Sequence, residues 1–276
     1  RDIELAAGLP FRFTAVLDCG APGLIAKVEI LVLRLRGKIA RLLYRFARLP
    51  SRWQFGAAVG ALSSAARGRN ADLFIAHSEA ALPVAVDLSR RGERVGVDME
   101  DWFSEDLLPD QRRLRPVQFL GELEGHLLRQ GTGATCPSQA MSVALGRAYG
   151  CPPPVVVYNA FPWSDRETLD GAVKDRRDRT IPSVHWYSQT LGPGRGLEDL
   201  FASLRHVEAA AEIHLRGRPA AGFERWLDSL ITAAWRPRVF VHGLVSNEEL
   251  LSRIAEHDIG FAGEMTFCRS RELTIT

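Results

Sequence analysis

The stretch SVHWYSQTLGPGRGLEDLFASL, residues 183–204, joins an apolar strand to an amphipathic helix through a glycine-rich turn. The turn contains Gly192, Gly194, Arg195 and Gly196. Glycine lets a backbone approach a ligand closely, and the start of a helix presents unpaired N–H groups that favour a phosphate. Arg195 adds a planar cation that pairs with phosphate oxygens. The turn therefore predicts a phosphate-binding element, and a tight connection with Arg195 facing solvent is the alternative.

The composition is that of a globular protein with room for about two domains, since 46% of its 276 residues are hydrophobic and 25% are charged. A net charge of +2 argues against wholesale nucleic-acid binding. Four scattered cysteines without a C-x-x-C pair fit a reducing compartment and no structural zinc. The chain begins at Arg1 without a methionine and stops at Thr276 soon after an apolar run, so we expect a fragment.

Short β-type runs alternate with helical patterns along the chain. Strands are predicted at 11–17, 72–77, 94–98, 133–136, 155–158, 183–188, 212–216, 238–242 and 258–262. This alternation predicts parallel sheets covered by helices on both faces. A polar linker, 164–182, separates an N-terminal Rossmann-like domain, 1–163, from a partial C-terminal one, 183–276. We expect the two domains to face each other across a cleft at the carboxyl ends of their strands, where such sheets bind ligands.

The segment CPSQAMSVALGRAYGCPPPVVVYNAFP, residues 136–162, resembles the end of the first domain of GT-B glycosyltransferases. There a serine opens a helix, a tyrosine–glycine pair closes it, and a strand ends in asparagine before a proline. The matching residues are Ser138, Tyr149, Gly150 and Asn159. Residues 71–107 are similar to the middle strands of that domain, with His77 at an expected place.

Later segments resemble the start of the second domain in the group 1, family 4-like members. These are WYSQTLGPGRGLEDL, AEIHLRGR and RVFVHGLVSNEELLSRIAEHDIGFA. The matching positions are Arg195, Gly196, Gly217, Gly243, Val245 and Leu250. The resemblance implies an α/β protein of GT-B type, with two Rossmann-like domains of which the second is incomplete.

The resemblance also implies a hexosyltransferase-like activity. The second domain would hold a nucleotide-sugar donor and the first a glycan or lipid-linked acceptor, with retention of anomeric configuration. No metal and no cofactor is expected, because helix termini and cations stabilise the departing diphosphate. The donor-binding residues implied are Thr190, Gly194, Arg195, Gly196 and Arg218.

The sequence departs from the family pattern on the donor side. The second cation, usually five residues before the Arg/Lys–Gly pair, is replaced by Thr190, which carries no charge. Either Arg216 or Arg218 supplies the positive charge that is missing at Thr190, or the affinity for the donor is reduced. The acidic E-x7-E pair has an apparent copy in Glu264 and Glu272, of which Glu264, just after a strand end, is the candidate catalytic residue.

The acceptor side offers polar residues that follow the predicted strands of the first domain. Glu100 and Asp101 are candidates to orient an acceptor hydroxyl, although strand-end carboxylates also serve as caps. His77 is a candidate to line the cleft, with a hydrogen-bonded structural histidine as the alternative. Packing roles are predicted for three histidines within strands, His185, His214 and His242.

Residues 31–52 predict a basic amphipathic helix, because no acidic residue lies between Glu29 and Asp72. Its cations recur every three or four residues, at Arg34, Lys38, Arg41, Arg45, Arg48 and Arg52. Such a helix binds anionic membrane surfaces. An ordinary surface helix packed on the sheet is the alternative. We expect a cytoplasmic protein that lies peripherally on the inner face of the membrane.

Two other functions stay open at this stage. A nucleotide-sugar epimerase of the same fold would act on the donor alone. A non-catalytic protein that binds nucleotide-sugars or glycans is the third reading, since the charge at Thr190 is missing.

Overall fold

The computed structural model describes residues 11–107, 112–160, 162–263 and 268–274, which fold into two α/β units. The first unit holds the described chain up to Tyr158 together with 268–274, and the second begins at Asn159 and continues to 263.

The first unit is built on a parallel sheet with the strand order β1-β2-β3-β4. The strands are β1 (Phe74–His77), β2 (Val95–Asp98), β3 (Gly133–Cys136) and β4 (Val155–Val156). The helices are α1 (Leu24–Ala47), α2 (Val59–Arg67), α3 (Leu82–Ser89), α4 (Val117–Gln130) and α5 (Gln139–Tyr149). The core between sheet and helices includes Leu82, Val95, Val97, Leu120, Leu127, Met141 and Leu145, all nearly inaccessible to solvent. Burial of such side chains drives this unit to fold.

Capping residues set the ends of α5, as the sequence pattern predicts. Ser138 has extended backbone angles and its hydroxyl accepts a 3.0 Å hydrogen bond from the amide of Met141. Gly150 ends the helix in the left-handed conformation with φ of 60°. Both are residue types that favour these positions.

The second unit has a parallel sheet with the order β7-β6-β5-β8. Its strands are β5 (Ser183–Leu191), β6 (Glu212–Pro219), β7 (Val239–His242) and β8 (Ile259–Gly260). Its helices are α6 (Leu197–Ser203), α7 (Phe223–Leu230) and α8 (Asn247–Ala255). Its apolar core includes Trp186, Leu197, Phe201, Ile213, Leu215, Phe223 and Leu227.

Three segments differ from the predictions. Residues 11–17 form no strand and are mostly exposed, so the apolar pattern there overstated strand formation. The polar stretch 164–182 packs in the second unit, where its backbone amides bond to Glu212 and Glu256. A short helix, α9 (Arg269–Thr274), packs in the first unit against α5, because Cys268 and Ser270 are buried there.

The predicted basic helix is present as α1, but it ends at Ala47, so Arg48 and Arg52 of the predicted stripe lie beyond it. Its buried residues are few, namely Ile30, Gly37 and Ala40. Among the described helices, none has both the length and the apolar character needed to cross a bilayer.

Candidate functional site

The glycine-rich turn of the second unit lies between β5 and α6. Gly194 has φ of +81° and Gly196, directly before α6, has φ of +78°. L side chains are strained at such angles, so the turn requires glycine at both positions. Arg195 lies between them and is half-buried.

A carboxylate already occupies part of this turn. The amide of Gly194 donates a 2.8 Å hydrogen bond to Oε1 of Glu198, and Oε2 of Glu198 is buried without a hydrogen-bond partner among the described residues. An anion that binds the Gly194 amide therefore competes with the Glu198 side chain. Glu198 was not predicted as a site residue, although an acidic residue in the first turn of a helix is a common cap.

A cavity of about 310 Å³ adjoins the turn. Its lining consists of Trp186, Tyr187, Ser188, Arg195, Phe261, Ala262 and Gly263. The last three residues directly follow β8, so the cavity lies at the carboxyl edge of the sheet, where α/β folds bind ligands. Tyr187 is 48% exposed and offers an aromatic surface, while Arg195 offers a cation.

The remaining donor-side candidates lie on neighbouring strands. Thr190 and Arg218 are paired across β5 and β6, and both are exposed. Arg216 cannot replace the missing cation, because its guanidinium bonds to Asp175 and donates a 2.8 Å hydrogen bond to the carbonyl of Gly243. Of the two arginines considered from the sequence, Arg218 is the one on the surface.

The strands β5 and β6 approach each other closely beside the cavity. A Cβ atom added to Gly217 would lie 2.3 Å from the carbonyl oxygen of Ser188. No side chain fits there without a shift of the backbone, which explains why the segment AEIHLRGR has glycine at this position.

In the first unit, polar residues from three strand ends come together. His77, Asp98 and Thr135 are neighbours across β1, β2 and β3. Asp98 accepts a 2.7 Å hydrogen bond from Nδ1 of His77 and a 2.6 Å hydrogen bond from the hydroxyl of Thr135. Nε2 of His77 lies 3.2 Å from Glu100, and the His77 side chain is 59% exposed. The imidazole is thus held between two carboxylates and remains open to a ligand.

The backbone after His77 is unusual. Ser78 has φ of +76° and ψ of 156°, a region that only glycine adopts easily. Strain of this kind costs on the order of 1–3 kcal/mol and concentrates at functional sites.

Asp101 follows the same strand end and lies partly buried. Burial, together with the nearby carboxylates of Asp106 and Glu100, raises its pKa to about 6. Asp101 therefore retains a proton over a range where an ordinary aspartate is ionised. Glu100 is half-exposed next to His77.

The structure describes one residue of the apparent E-x7-E pair. Glu264 lies outside the described residues. Glu272 is exposed on α9 and belongs to the first unit, although 183–276 was predicted as the C-terminal domain.

Comparison with known proteins extends these observations. No model of a protein family matches the chain, and no curated protein matches it significantly. Solved structures do match. A sucrose-phosphate synthase from Thermosynechococcus elongatus superposes with a TM-score of 0.58 at 12% identity, over 78% of this chain and 57% of that one. The chain has the GT-B fold.

Two further GT-B structures were solved with ligands. Anabaena HepE in complex with UDP matches with a TM-score of 0.51 at 20% identity, over 89% of this chain and 72% of that one. Staphylococcus aureus TarM, in a complex that contains UDP, matches with a TM-score of 0.52 at 8% identity, over 73% of this chain and 39% of that one. The chain thus spans a little over half of the synthase and less of TarM. The predicted GT-B fold is confirmed.

Proposed function

We propose that this chain belongs to a glycosyltransferase that moves a sugar from a nucleotide-sugar donor to a glycan or lipid-linked acceptor. The cavity at the carboxyl edge of the second sheet carries the proposal, because it combines Arg195 and Tyr187 beside the glycine-rich turn. HepE and TarM, which share the fold, were solved with UDP.

The donor diphosphate would bind at the turn. The amides near Gly194 and Gly196 and the guanidinium of Arg195 supply donors and positive charge, and Thr190 and Arg218 add a hydroxyl and a second cation nearby. The carboxylate of Glu198 would have to leave the Gly194 amide. We expect this displacement to weaken donor binding.

The acceptor would bind at the strand ends of the first unit. His77, fixed by Asp98 and facing Glu100, is placed to accept a hydrogen bond from a sugar hydroxyl. We propose Glu100, Asp101 and Glu264 as the acidic residues of the reaction. Retention and metal-independent transfer are part of the proposal, on the grounds of the resemblance.

Donor binding is tested by titrating UDP into the whole chain and into the Arg195→Ala variant. The variant should bind at least tenfold more weakly, since a charge-assisted contact is lost. Arg205→Ala, which removes an exposed arginine after α6, is the matched control. Equal affinity of Arg195→Ala and the native chain would contradict the donor site.

Product analysis separates the activities. Incubation with a nucleotide-sugar should release nucleoside diphosphate slowly when no acceptor is present. An isomerised sugar would indicate an epimerase, and a bound but unaltered donor would indicate a binding protein. Anomeric configuration of the product, read by proton NMR, tests retention.

We also propose that α1 binds an anionic membrane surface. Leu31, Leu35, Ile39, Leu42 and Phe46 are each 49–78% exposed, so this apolar stripe is not packed on the sheet. Cations on the helix are also exposed, at Arg34, Lys38, Arg41 and Arg45.

Not every cation of the predicted stripe is available to lipid. The Arg52 guanidinium pairs with Asp87 at 2.5 Å, and the Arg48 guanidinium donates a 3.1 Å hydrogen bond to the carbonyl of Arg113. The surface proposed for lipid therefore ends near Arg45. Each cation near an anionic bilayer contributes about 1 kcal/mol.

Co-sedimentation with vesicles of phosphatidylcholine and phosphatidylserine tests this surface. Replacing Arg34, Lys38, Arg41 and Arg45 by glutamine should abolish binding, whereas Arg205→Gln with Arg225→Gln should not. Binding that persists without phosphatidylserine would defeat the electrostatic part of the proposal.

A further inference from the structure

The two faces of the second sheet differ in character. Along β6, Ile213 and Leu215 point to the apolar core, and the alternating residues Glu212, His214 and Arg216 point to the other face. All five are nearly inaccessible to solvent. The face opposite the core is therefore both buried and ionisable, which is rare unless its groups are paired.

Four histidines gather on this face, and we refer to them as the histidine cluster. They are His185 on β5, His214 on β6, His242 on β7 and His257 after α8. The rings of His185 and His257 stack with centroids 4.6 Å apart, and those of His214 and His257 lie 4.4 Å apart.

Some members of the cluster are hydrogen-bonded. Nε2 of His214 lies 3.1 Å from Glu212, and Nδ1 of His214 lies 3.0 Å from Nε2 of His242. The other ring nitrogen of His242 lies 3.4 Å from Asp175. These contacts form a chain that ends at the carboxylate of Asp175.

His257 and Glu256 are different, because they keep buried atoms without hydrogen-bond partners among the described residues. Both ring nitrogens of His257 and Oε1 of Glu256 are in this state, as is Nε2 of His185. The Glu256 side chain is 1% exposed, and its second oxygen accepts hydrogen bonds from the amides of Lys174 and Asp175 at 2.8 and 2.9 Å. The residue is thus fixed in place, and its Oε1 atom has an ion-pair contact with Arg253 at 3.3 Å but no hydrogen bond.

We propose that Asp175, Glu256 and His257 bind a divalent transition-metal ion of the zinc class, in a structural role. Each residue offers one donor atom, and the three atoms lie within 4.8 Å of one another. The ligand atoms of tetrahedral zinc lie roughly 3.3 Å apart when each bond is about 2.0–2.1 Å long. The distances between the three donor atoms therefore need to shorten by about 1.5 Å or less. One imidazole and two carboxylates form a nitrogen–oxygen donor set that zinc accepts.

The carboxylates around the site outnumber the guanidiniums, which favours binding of a cation. Asp175, Glu212 and Glu256 are three buried or half-buried carboxylates, against the two guanidiniums of Arg216 and Arg253. Burial lowers the pKa of all four histidines, so their rings are neutral near pH 7. A neutral imidazole is the form that binds metal.

Two guanidiniums compete with the ion, because that of Arg216 bonds to Asp175 and that of Arg253 lies beside Glu256. Nη1 of Arg253 lies 3.3 Å from Oε1 of Glu256 without a hydrogen bond, while its Nη2 bonds to Asp170 at 2.7 Å. The guanidinium thus has a second carboxylate to hold it when an ion binds Glu256. A cavity of about 340 Å³, lined in part by Arg176, Ser252 and Glu256, adjoins the site on the side of Glu256.

Calorimetric titration of the chelator-treated whole chain with zinc chloride tests the proposal. The native chain should bind one ion with high affinity and should melt at a higher temperature in its presence. His257→Gln should bind zinc at least a hundredfold more weakly. His206→Gln, which changes an exposed histidine of the same unit, should bind zinc as the native chain does.

Two further variants keep the test decisive. Asp175→Asn should weaken zinc binding without the volume change of a histidine replacement. His77→Ala removes the histidine of the histidine–carboxylate group in the first unit. Zinc binding that is lost in His77→Ala but kept in the His257 and Asp175 variants would overturn the proposal. The absence of a one-to-one zinc site in the native chain would overturn it as well, even if the His257 variant fails to fold.

Discussion

Burial raises the pKa of an acid in the first unit and lowers the pKa of histidines in the second. In the first unit, Glu124 is inaccessible to solvent, and burial raises its pKa to about 7. In the second unit, burial lowers the pKa of His185 to about 3 and that of His257 to about 4. Burial acts in the same way in both units, since it disfavours the charged form, but it favours a protonated acid in one and an unprotonated base in the other.

This difference gives the units opposite pH dependence. A histidine whose pKa falls on folding lowers the free energy of unfolding as the pH decreases below 6.5, its pKa in the unfolded chain. A glutamate whose pKa rises on folding lowers the free energy of unfolding as the pH increases from 4.5 toward 7. The second unit should therefore be acid-sensitive and the first more sensitive to neutral and alkaline pH.

The largest expected effect is acid destabilisation of the second unit. Between pH 7 and pH 4.5, His185 and His257 should each cost roughly 2 kcal/mol of unfolding free energy, because the unfolded chain binds the protons more readily. Hydrogen exchange by mass spectrometry, corrected for its intrinsic pH dependence, should show protection falling first in β5 and β6. Protection lost first in β1–β3 would reverse the comparison.

A variant of one histidine sharpens this prediction. His185→Phe removes a titrating ring that stacks on His257 and keeps a planar apolar side chain there. Its stability should fall less between pH 7 and pH 4.5 than that of the native chain. His206→Phe, at an exposed position, should leave the pH dependence unchanged.

The next effect belongs to Glu124 of the first unit. Its carboxylate accepts hydrogen bonds from the amide and hydroxyl of Ser104 at 2.9 and 2.6 Å, and from the hydroxyl of Tyr149 at 2.5 Å. In Glu124→Gln the amide oxygen still accepts from the Ser104 amide, and the amide nitrogen donates to the hydroxyls. The substitution should remove a pH-dependent loss of roughly 3 kcal/mol between pH 5 and pH 8.

Urea unfolding of Glu124→Gln at both pH values measures this change. The variant should be as stable as the native chain near pH 5 and more stable at pH 8. Glu122→Gln, on the exposed side of α4, is the matched control. A variant that is destabilised equally at both pH values would show that Glu124 serves as an ionised acceptor instead.

The fold was largely predictable because it follows from local patterns. The strand predicted at 133–136 matches the structure at both ends, and the serine and the tyrosine–glycine pair noted in the sequence lie at the two ends of α5. The strand predicted at 11–17 was wrong, because an apolar pattern without a neighbouring strand forms no sheet. The role of 164–182 was not predictable, since its partners Glu212 and Glu256 lie far along the chain.

The candidate sites were predictable only in part, for the same reason. Glycines that need positive φ are visible in the sequence, and so is a histidine at a strand end. The stacking of His257 on His185 and its tilted contact with His214 depend on tertiary structure. Histidines spaced along four different segments carry no signal of a common cluster until the sheet aligns them.

The smallest expected effect compares one helix cap from each unit. Ser138 in the first unit is buried, and its hydroxyl bonds both to the Met141 amide and to the carbonyl of Leu273. Ser246 in the second unit is exposed and accepts a longer hydrogen bond, 3.3 Å, from the Glu249 amide. Loss of a cap costs about 0.5–2 kcal/mol, and an unsatisfied buried group costs more than an exposed one.

Ser138→Ala should therefore lower the unfolding free energy by about 2 kcal/mol and Ser246→Ala by about 0.5 kcal/mol, both measured by urea unfolding at pH 7. Water replaces the serine oxygen at the exposed cap of α8, but it does not reach the buried cap of α5. Ser138→Thr should recover part of the lost stability, because its hydroxyl still accepts from the Met141 amide. Equal costs at the two caps would mean that burial does not set the difference between these helix ends.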